Sequence, residues 1–595
     1  MEMGHERGIL AFDGNCGFCR VWIERWRAWT DGSVEAIPSG DAADAFPDLT
    51  PEDFERAVQY RDERGRVYSG ADAVFRSLAD AGGSAVPARL YDAIPVFRKL
   101  SEGAYRFIAA RRPLFSRWTR LLWGADAAPP RYAFAARIFP SLLGGVYFCA
   151  FASFAVQIDG LLGAHGIGRA GPPLTGLSDA ALRGFCWTGA GLAAALAAGF
   201  APIPLLGVLW GMYFTLFQAA GIFLGYQWDL LLLEAGFLAL FSAPVALLPG
   251  GGRSQPPRAG LWAARWLLFR LMLLSGAVKL LSGDPVWRDF SALAFHFESQ
   301  PLPTRLAWAA HHLPAWIQQA AVFVLYAIEL ILPFFVFGPR MLRLAAAFGF
   351  LLLMALICAT GNYTFFNLLT AALCVFLLDD AWLARRFPRL RAAAGSRAGR
   401  GRRSAALVFA AFVGIVGSAQ LALRLIPNFP LSAPLFSVAA LGSPLLTVNA
   451  YGLFAVMTTE RNEIVLEGSD DGALWLEYEF KWKPGDPARP PGWAQPHQPR
   501  LDWQMWFAAL SPYRQNPWFF AFLKRLLEGR PEVLGLLERN PFPDAPPKFI
   551  RPLFYRYRFA PSGAKEWWTR ELLGLYAPPV ALTPDGELAL VMPAP

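Results

Sequence analysis

The sequence predicts a mainly α-helical multipass membrane protein, with an α/β domain in front and a β-rich α+β domain behind. Hydrophobic residues make up 55% of the 595 and charged residues 17%. Such a balance, gathered in apolar runs of about twenty residues, belongs to polytopic membrane proteins. The runs are confined to the middle of the chain, and both flanks alternate polar and apolar residues. The expected divisions are an α/β domain at 1–120, a basic connector at 121–137, a transmembrane domain of about nine helices at 138–425 and an extracytoplasmic β-rich domain at 426–595.

The net charge of +9 would point to nucleic acid in a soluble protein. Here the arginines cluster beside the apolar runs, which is the pattern of membrane topology, so no nucleic-acid partner is expected. Residues Met1–Arg7 are polar and GILAF is too short for a signal-peptide core, which places the N-terminus in the cytoplasm. Cys149, Cys186, Cys358 and Cys374 lie in apolar runs and read as small buried hydrophobes. Cys16 and Cys19 form a pair.

In the first domain ILAFDGNCGFCRVWIERW reads as strand, turn and helix, SVEAIPSG as a strand, AVQYRDERGRVYSG as a hairpin around Arg64-Gly65, and ADAVFRSLADAG as a helix. A CxxC between a strand and a helix start suits thiol–disulfide exchange. The helix N-terminus stabilises a thiolate on Cys16, and Cys19 resolves the mixed disulfide. The other reading is half a zinc site, which lacks a second CxxC or a CxxH nearby. No metal and no cofactor are expected. Asp13-Gly14-Asn15-Cys16-Gly17-Phe18-Cys19, Ser69-Gly70-Ala71-Asp72-Ala73 and Tyr105-Arg106-Phe107-Ile108-Ala109 together resemble the DCC family of thiol-disulfide oxidoreductases. The resemblance implies a thioredoxin-like fold over about the first 120 residues, oxidoreductase activity, and a site of Cys16, Cys19 and the acidic residue Asp13.

Spans are expected near Ile138–Ile158, Gly184–Phe200, Ile203–Leu224, Leu230–Leu248, Leu261–Leu281, Ile317–Phe337, Leu344–Cys358, Phe365–Leu378 and Ala405–Leu423. With the N-terminus inside, Arg253, Arg258, Arg340, Arg343, Arg385, Arg386, Arg389, Arg391, Arg397, Arg400, Arg402 and Arg403 all fall in inside loops. Nine crossings then leave the C-terminal domain outside.

This topology gathers ionisable groups at one depth. Lys279 sits at the outer end of the fifth span, and a charge there costs at least about 2.5 kcal/mol without a partner. Asp229 and Glu234 lie at the outer end of the fourth, Gln157 and Asp159 at the end of the first, and Asn362 in an outer turn. Glu329 is deeper, in the sixth. The loop Ser282–Gln318 adds Asp284, His296, Glu298, His311 and His312. One reading is a structural bridge from Lys279 to Asp229 or Glu234; the other is a functional polar pocket. The histidines do not have zincin spacing and read as loop structure.

Several of these stretches carry a second resemblance. ARIFPSLLGGVYFCAFASFAVQIDGLLGAHGI, YQWDLLLLEAGFL, WLLFRLMLLSGAVKLLSGDPVW, FHFESQPLPTRLAWAAHHLP and GNYTFFNLLTAALCVFLLDD are similar, in order, to the lipase maturation factor family. In the tail, Asn449-Ala450-Tyr451-Gly452-Leu453-Phe454 and Pro496-His497-Gln498-Pro499-Arg500-Leu501-Asp502-Trp503-Gln504-Met505-Trp506-Phe507 extend the match. It implies a multipass protein that helps secreted lipases fold, with exported proteins, lipases among them, as clients. SGAVKLLSGDPVW also resembles the lysine region of vitamin-K-dependent-carboxylase-like transmembrane domains. That implies an alternative: a membrane-embedded enzyme with Lys279 as base, acting on a lipid or quinone-type substrate.

After Leu425 the pattern has period two. LLTVNAYGLFAVMT, NEIVLEGSD, LWLEYEFKW and FIRPLFYRYRFA read as strands, LDWQMWFAAL and PWFFAFLKRLLEG as helices on a sheet. Trp503, Trp506, Trp518, Phe519 and Phe520 serve either as core and interface anchors or as a client-holding surface. The combined reading is a bacterial inner-membrane protein in contact with membrane lipids, its head in the cytoplasm and its tail outside. On that reading electrons cannot pass directly from Cys16 to an exported client.

Overall fold

The computed structural model describes residues 8–30, 32–124, 127–251, 255–387, 398–426 and 432–591. Met1–Arg7 and Arg253, Arg389, Arg391 and Arg397 of the expected inside loops lie outside them. The chain forms two compact units, Met1–Arg131 with Gly338–Leu344, and Tyr132–Phe337 with Ala345–Pro595.

The first unit runs β1 (Gly8–Phe12), α1 (Gly17–Thr30), β2 (Val34–Pro38), α2 (Pro51–Arg56), β3 (Gln59–Arg61), β4 (Val67–Ser69), α3 (Gly70–Asp80), α4 (Val86–Ala93), α5 (Pro95–Ala110) and α6 (Arg112–Trp123). The sheet order is β2-β1-β3-β4, with β1 and β2 parallel and the other pairs antiparallel. Strand β1 is covered on both faces, by Ile23, Trp26 and Tyr60 around Leu10 and Phe12, and by Phe46 and Phe54 around Ala11. That is why GILAF is apolar throughout rather than alternating. The hairpin turns at Gly65, φ +78°, with Asp62 accepting from the Arg64 and Arg66 N–H groups at 2.9 Å.

The second unit begins with α7 (Ala133–Ala155), α8 (Ile158–Leu162), α9 (Asp179–Ala197), α10 (Pro202–Ala220), α11 (Gln227–Ser242) and α12 (Arg258–Leu281). A loop carries α13 (Pro285–Arg288), α14 (Ala292–Ser299) and α15 (Arg305–His311). Then come α16 (Ala315–Tyr326), a π turn at Ala327–Ile331, α17 (Leu332–Phe335), α18 (Arg340–Thr360), α19 (Phe366–Leu373), α20 (Asp380–Arg386), α21 (Arg400–Leu425) and α22 (Ser432–Ala440). Among the described residues seven helices are long and apolar enough to cross a bilayer: α7, α9, α10 with its extension to Leu224, α12, α16–α17, α18 and α21. The protein is therefore a multipass membrane protein. The other two expected spans are the sixteen-residue α11 and Phe366–Leu377, which bends by 103° into α20.

Contacts within the unit separate the helix ends. At one end Asp380 accepts from the Ala133 and Phe134 N–H groups at the start of α7, Arg265 near the start of α12 donates to the Phe376 carbonyl, and Arg402 near the start of α21 donates to the Ala243 carbonyl just after α11. At the other end the C-termini of α7, α10, α12 and α18 and the N-terminus of α11 receive the tail.

The tail contains β5 (Arg461–Ser469), β6 (Leu476–Glu477), β7 (Glu479–Phe480), α23 (Arg500–Ala509), α24 (Pro517–Leu527), α25 (Pro531–Leu534), β8 (Leu537–Arg539), β9 (Phe549–Phe559), β10 (Trp568–Leu575), β11 (Val580–Leu582) and β12 (Leu588–Leu590). The larger sheet runs β12-β11-β9-β5-β6, with β10 also on β9, and β7 pairs with β8 in a separate two-stranded sheet. Ile464, Leu466 and Ile550 share one core with Phe519 and Phe522 of α24 and with the membrane helices. Val465, Tyr557, Phe559 and Trp568 pack on Ala307 and Trp308 of α15. One expectation fails: LLTVNAYGLFAVMT is not a strand. Its backbone groups bond to side chains of membrane helices instead of to a neighbouring strand, as described next.

Candidate functional site

In the first unit the cysteine pair follows β1 directly. Cys16 stands just before α1, and its Sγ accepts from the Cys19 N–H at 3.2 Å. Asp13 holds the turn: one oxygen accepts from the Asn15 and Cys16 N–H groups at 3.0 and 3.2 Å. The other pairs with Arg112 at 2.9 Å, and Arg112 also donates to the Glu55 carbonyl at 2.8 Å. Both cysteines are free and half-buried. Burial first, then the hydrogen bond and charge of Cys16, push the Cys19 thiol up to about 12. Cys19 therefore stays protonated at neutral pH, as a resolving thiol does, and Cys16 stands at the N-terminus of α1. Among the described residues no group of three or more His, Cys, Asp or Glu is arranged to hold a metal. Cys19→Ser is expected to accumulate mixed disulfides through Cys16, and Cys16→Ser to form none, on non-reducing gels of alkylated cells.

In the second unit the expected polar cluster separates into sites that each tie helices to one another or to the tail. Glu234 of α11 and Arg270 of α12 are fully buried and ion-paired. The free oxygen of Glu234 accepts from the Asn449 N–H at 2.8 Å and the Tyr451 hydroxyl at 2.7 Å, and Arg270 donates to the Asn449 carbonyl at 2.8 Å. Gln227 brackets Gly452, accepting from its N–H at 3.0 Å and donating to its carbonyl at 3.1 Å. These bonds supply the partners that a strand at 445–458 would have found in a sheet.

Asp229 accepts from the Tyr213 hydroxyl at 2.5 Å and lies 3.7 Å from the guanidinium of Arg500, on the tail helix α23. Arg500 also donates to the Phe223 carbonyl and lies over the Phe154 ring. Its own N–H donates to Gln157 at 2.9 Å. In the outer loop Asp284 accepts from the Met457 N–H at 2.6 Å and Glu298 from the Phe559 N–H at 2.6 Å. Arg461, fully buried on β5, donates to the carbonyls of Glu298, Gln300 and Pro301. Asn362 accepts from the Ala494 and Gln495 N–H groups. Asp159 pairs with Arg183, His311 faces Glu298 at 3.9 Å, and His312 contacts the Trp308 carbonyl at 2.8 Å.

Lys279 corrects the expected bridge: its partner is Glu329, not Asp229 or Glu234. The ammonium lies 2.8 and 3.1 Å from the two carboxylate oxygens, 2.8 Å from the Ser275 carbonyl, and 5.4 Å from the centre of the Trp287 ring. The reason is helical phase. Nine residues at 100° each put Lys279 on the opposite side of α12 from Arg270. Arg270 faces α11, and Lys279 faces the π turn that carries Glu329. Gly276 lets the two approach, since a Cβ there would lie 2.8 Å from Glu329 Cβ.

His296 stands near this pair, 3.3 Å from the Tyr363 hydroxyl. Burial, then Lys279, hold it down to about 4. His497 bonds Ser153 at 3.0 Å and is also held down to about 4, by burial and then Arg500 and Lys481. Both are neutral in the folded protein and charge more easily when unfolded. Their contribution is complete above pH ~6.5, the usual histidine value, and is lost as pH falls toward 4. Thermal unfolding in detergent should therefore move down by several degrees between pH 7 and 5, and His497→Gln should flatten that slope.

A family model of the lipase maturation factor transmembrane domain matches residues 171–385, and one of the lipase maturation factor C-terminal domain matches 447–578. Lipase maturation factor 2 of Homo sapiens is 34% identical over 587 residues, 75% of this chain and 82% of that protein. Lipase maturation factor 1 of Bos taurus is 36% identical over 431 residues, 68% of this chain and 76% of that protein. The chain belongs to the lipase maturation factor family. A DCC1-like thiol-disulfide oxidoreductase model matches residues 10–118, so this member carries that domain fused in front. No solved structure matches. These matches favour the lipase maturation factor reading over the membrane-embedded enzyme.

Within the family frame, Asp229, Glu234, Arg270, Lys279 and Glu329 fall in the transmembrane match, and Asn449, Tyr451, Arg461 and Arg500 in the C-terminal match. Sequence reasoning passed over Arg270, Arg461 and Arg500. Arg270 was detectable as a charge in mid-span, in LLFRLML. The tail arginines look like ordinary surface cations until the tail is seated. Trp503, Trp506 and Phe519 are buried, and Trp518 and Phe520 half-buried against the same core, so these aromatics are packing groups and not an open client surface.

Proposed function

We propose that the protein assists folding or maturation of exported proteins from a bacterial inner membrane, with lipases as candidate clients and the tail as the client-handling part. The observation that carries this is the seating of the tail. Buried charges and backbone groups from both lipase maturation factor domains lock it on one end of the helices, so it works at the membrane surface rather than on a loose tether. Counting α11 and Phe366–Leu377 as spans gives nine crossings, so head and tail lie on opposite sides, and the arginine-rich loops favour the head in the cytoplasm and the tail outside. Opposite helix ends meeting Asp380 and Arg402 support the count.

The client surface is the free edge of β10. Among the described residues it pairs only with β9, and Leu572, Leu573 and Leu575 are exposed. An open apolar edge accepts an extended chain by strand addition. The cysteine pair does a separate task. Cys16 thiolate attacks a substrate disulfide, one sulfur leaves as thiolate, and Cys19 displaces the other. The substrate is reduced by two electrons and a Cys16–Cys19 disulfide remains. The test is photocrosslinking from the tail in cells secreting a lipase. Leu572→Glu/Leu575→Glu should cut client capture and active secreted lipase about tenfold at unchanged thermal stability. Unchanged capture and secretion would refute the reading.

A further inference from the structure

Two helices of the first unit turn apolar faces outward. α5 has no buried residue and α6 has only Thr119. Val96, Leu100 and Phe107 follow helical spacing along α5, with Leu100 67% exposed. Leu114, Trp118 and Leu121 do the same on α6, with Leu121 63% exposed. Between the helices lies an open apolar groove of about 540 Å³ lined by Leu100, Phe107, Ile108 and Phe115, with Lys99 at its edge. Continuous apolar surface of this kind marks an interaction site.

The charges identify the occupant. Arg98, Lys99, Arg106, Arg111, Arg117 and Arg120 are all exposed on the two helices or the residue joining them. The only carboxylate in α5 and α6 is Glu102, and it is engaged inward by the Ala71 N–H at 3.1 Å and the Tyr91 hydroxyl at 3.0 Å. By helical spacing Lys99 and Arg106 lie along one side of the α5 stripe, and Arg111 caps its C-terminal end, its guanidinium 4.1 Å from the Phe107 ring centre. Apolar side chains bounded by cations that reach past them fit acyl chains lying beneath anionic headgroups. The tether agrees. α6 ends at Trp123 and the apolar helix α7 begins at Ala133, a reach of at most about 36 Å.

We propose that the α5–α6 face is a binding surface for anionic lipid. Phe115 in the groove contacts Phe18, between the two cysteines, at a ring distance of 6.5 Å. The face therefore holds the Cys16–Cys19 turn at the headgroup level, where its thiol or disulfide partners must be met.

The test uses the full-length protein in nanodiscs of phosphatidylcholine alone or with about one third phosphatidylglycerol, read by hydrogen–deuterium exchange over residues 95–123. Exchange should be about tenfold slower in the anionic discs, and about 0.5 M salt should reverse most of that. Leu100→Gln/Leu121→Gln should lose the protection while β1 and α1 exchange as before, because both side chains are exposed and their loss opens no core. Equal rates in the two discs overturn the proposal. So does protection that persists in detergent, which means a protein surface covers the face, or protection indifferent to salt and headgroup charge.

Discussion

Glu234→Leu should destabilise the protein by about 3–5 kcal/mol, the usual result of leaving one member of a buried pair uncompensated. Arg270 would keep its charge fully buried, and the Asn449 N–H and Tyr451 hydroxyl would lose their acceptor. Much of the loss should appear as loosening of 446–457 from the ends of α11 and α12, visible as faster exchange there before global unfolding. Arg270→Met alone should cost a similar amount. The double variant Glu234→Leu/Arg270→Met should cost clearly less than the sum, since apolar replacement of both partners removes the stranded charge. Additive losses would mean that the pair does not act as a unit.

Lys279→Met should cost a comparable amount, about 3–5 kcal/mol, because Glu329 would then be buried without its cation. Glu329 rides on a π turn, where the helix has an extra residue, and that register is held by the bond to α12. Lys279→Met/Glu329→Gln should recover most of the stability. A base in a membrane enzyme would behave otherwise: Lys279→Met would leave a fully stable protein. Thermal unfolding in detergent for the two variants separates these outcomes.

Much of the architecture was readable from residues. The β1–CxxC–α1 order, the Arg64-Gly65 hairpin and the apolar helices are local patterns, and local patterns survive in a sequence. Pairing was less readable. The sequence puts Lys279, Asp229 and Glu234 at one depth, but which meet depends on rotation about the helix axis, and Arg270 takes the face that Lys279 does not. The segment 445–458 alternates like a strand, yet its partners are Gln227, Glu234 and Arg270, far away in sequence. The three-residue strands β11 and β12 are too short to show a period.

The proposed function requires that the tail lie outside, on helix ends that face away from the cytoplasm. Spheroplasts carrying one epitope at the N-terminus and another after Pro595, treated with protease, test this directly. Loss of the C-terminal epitope with survival of the N-terminal one is the expected result. If both survive until the membrane is permeabilised, or both vanish together, head and tail share a compartment and the account is contradicted.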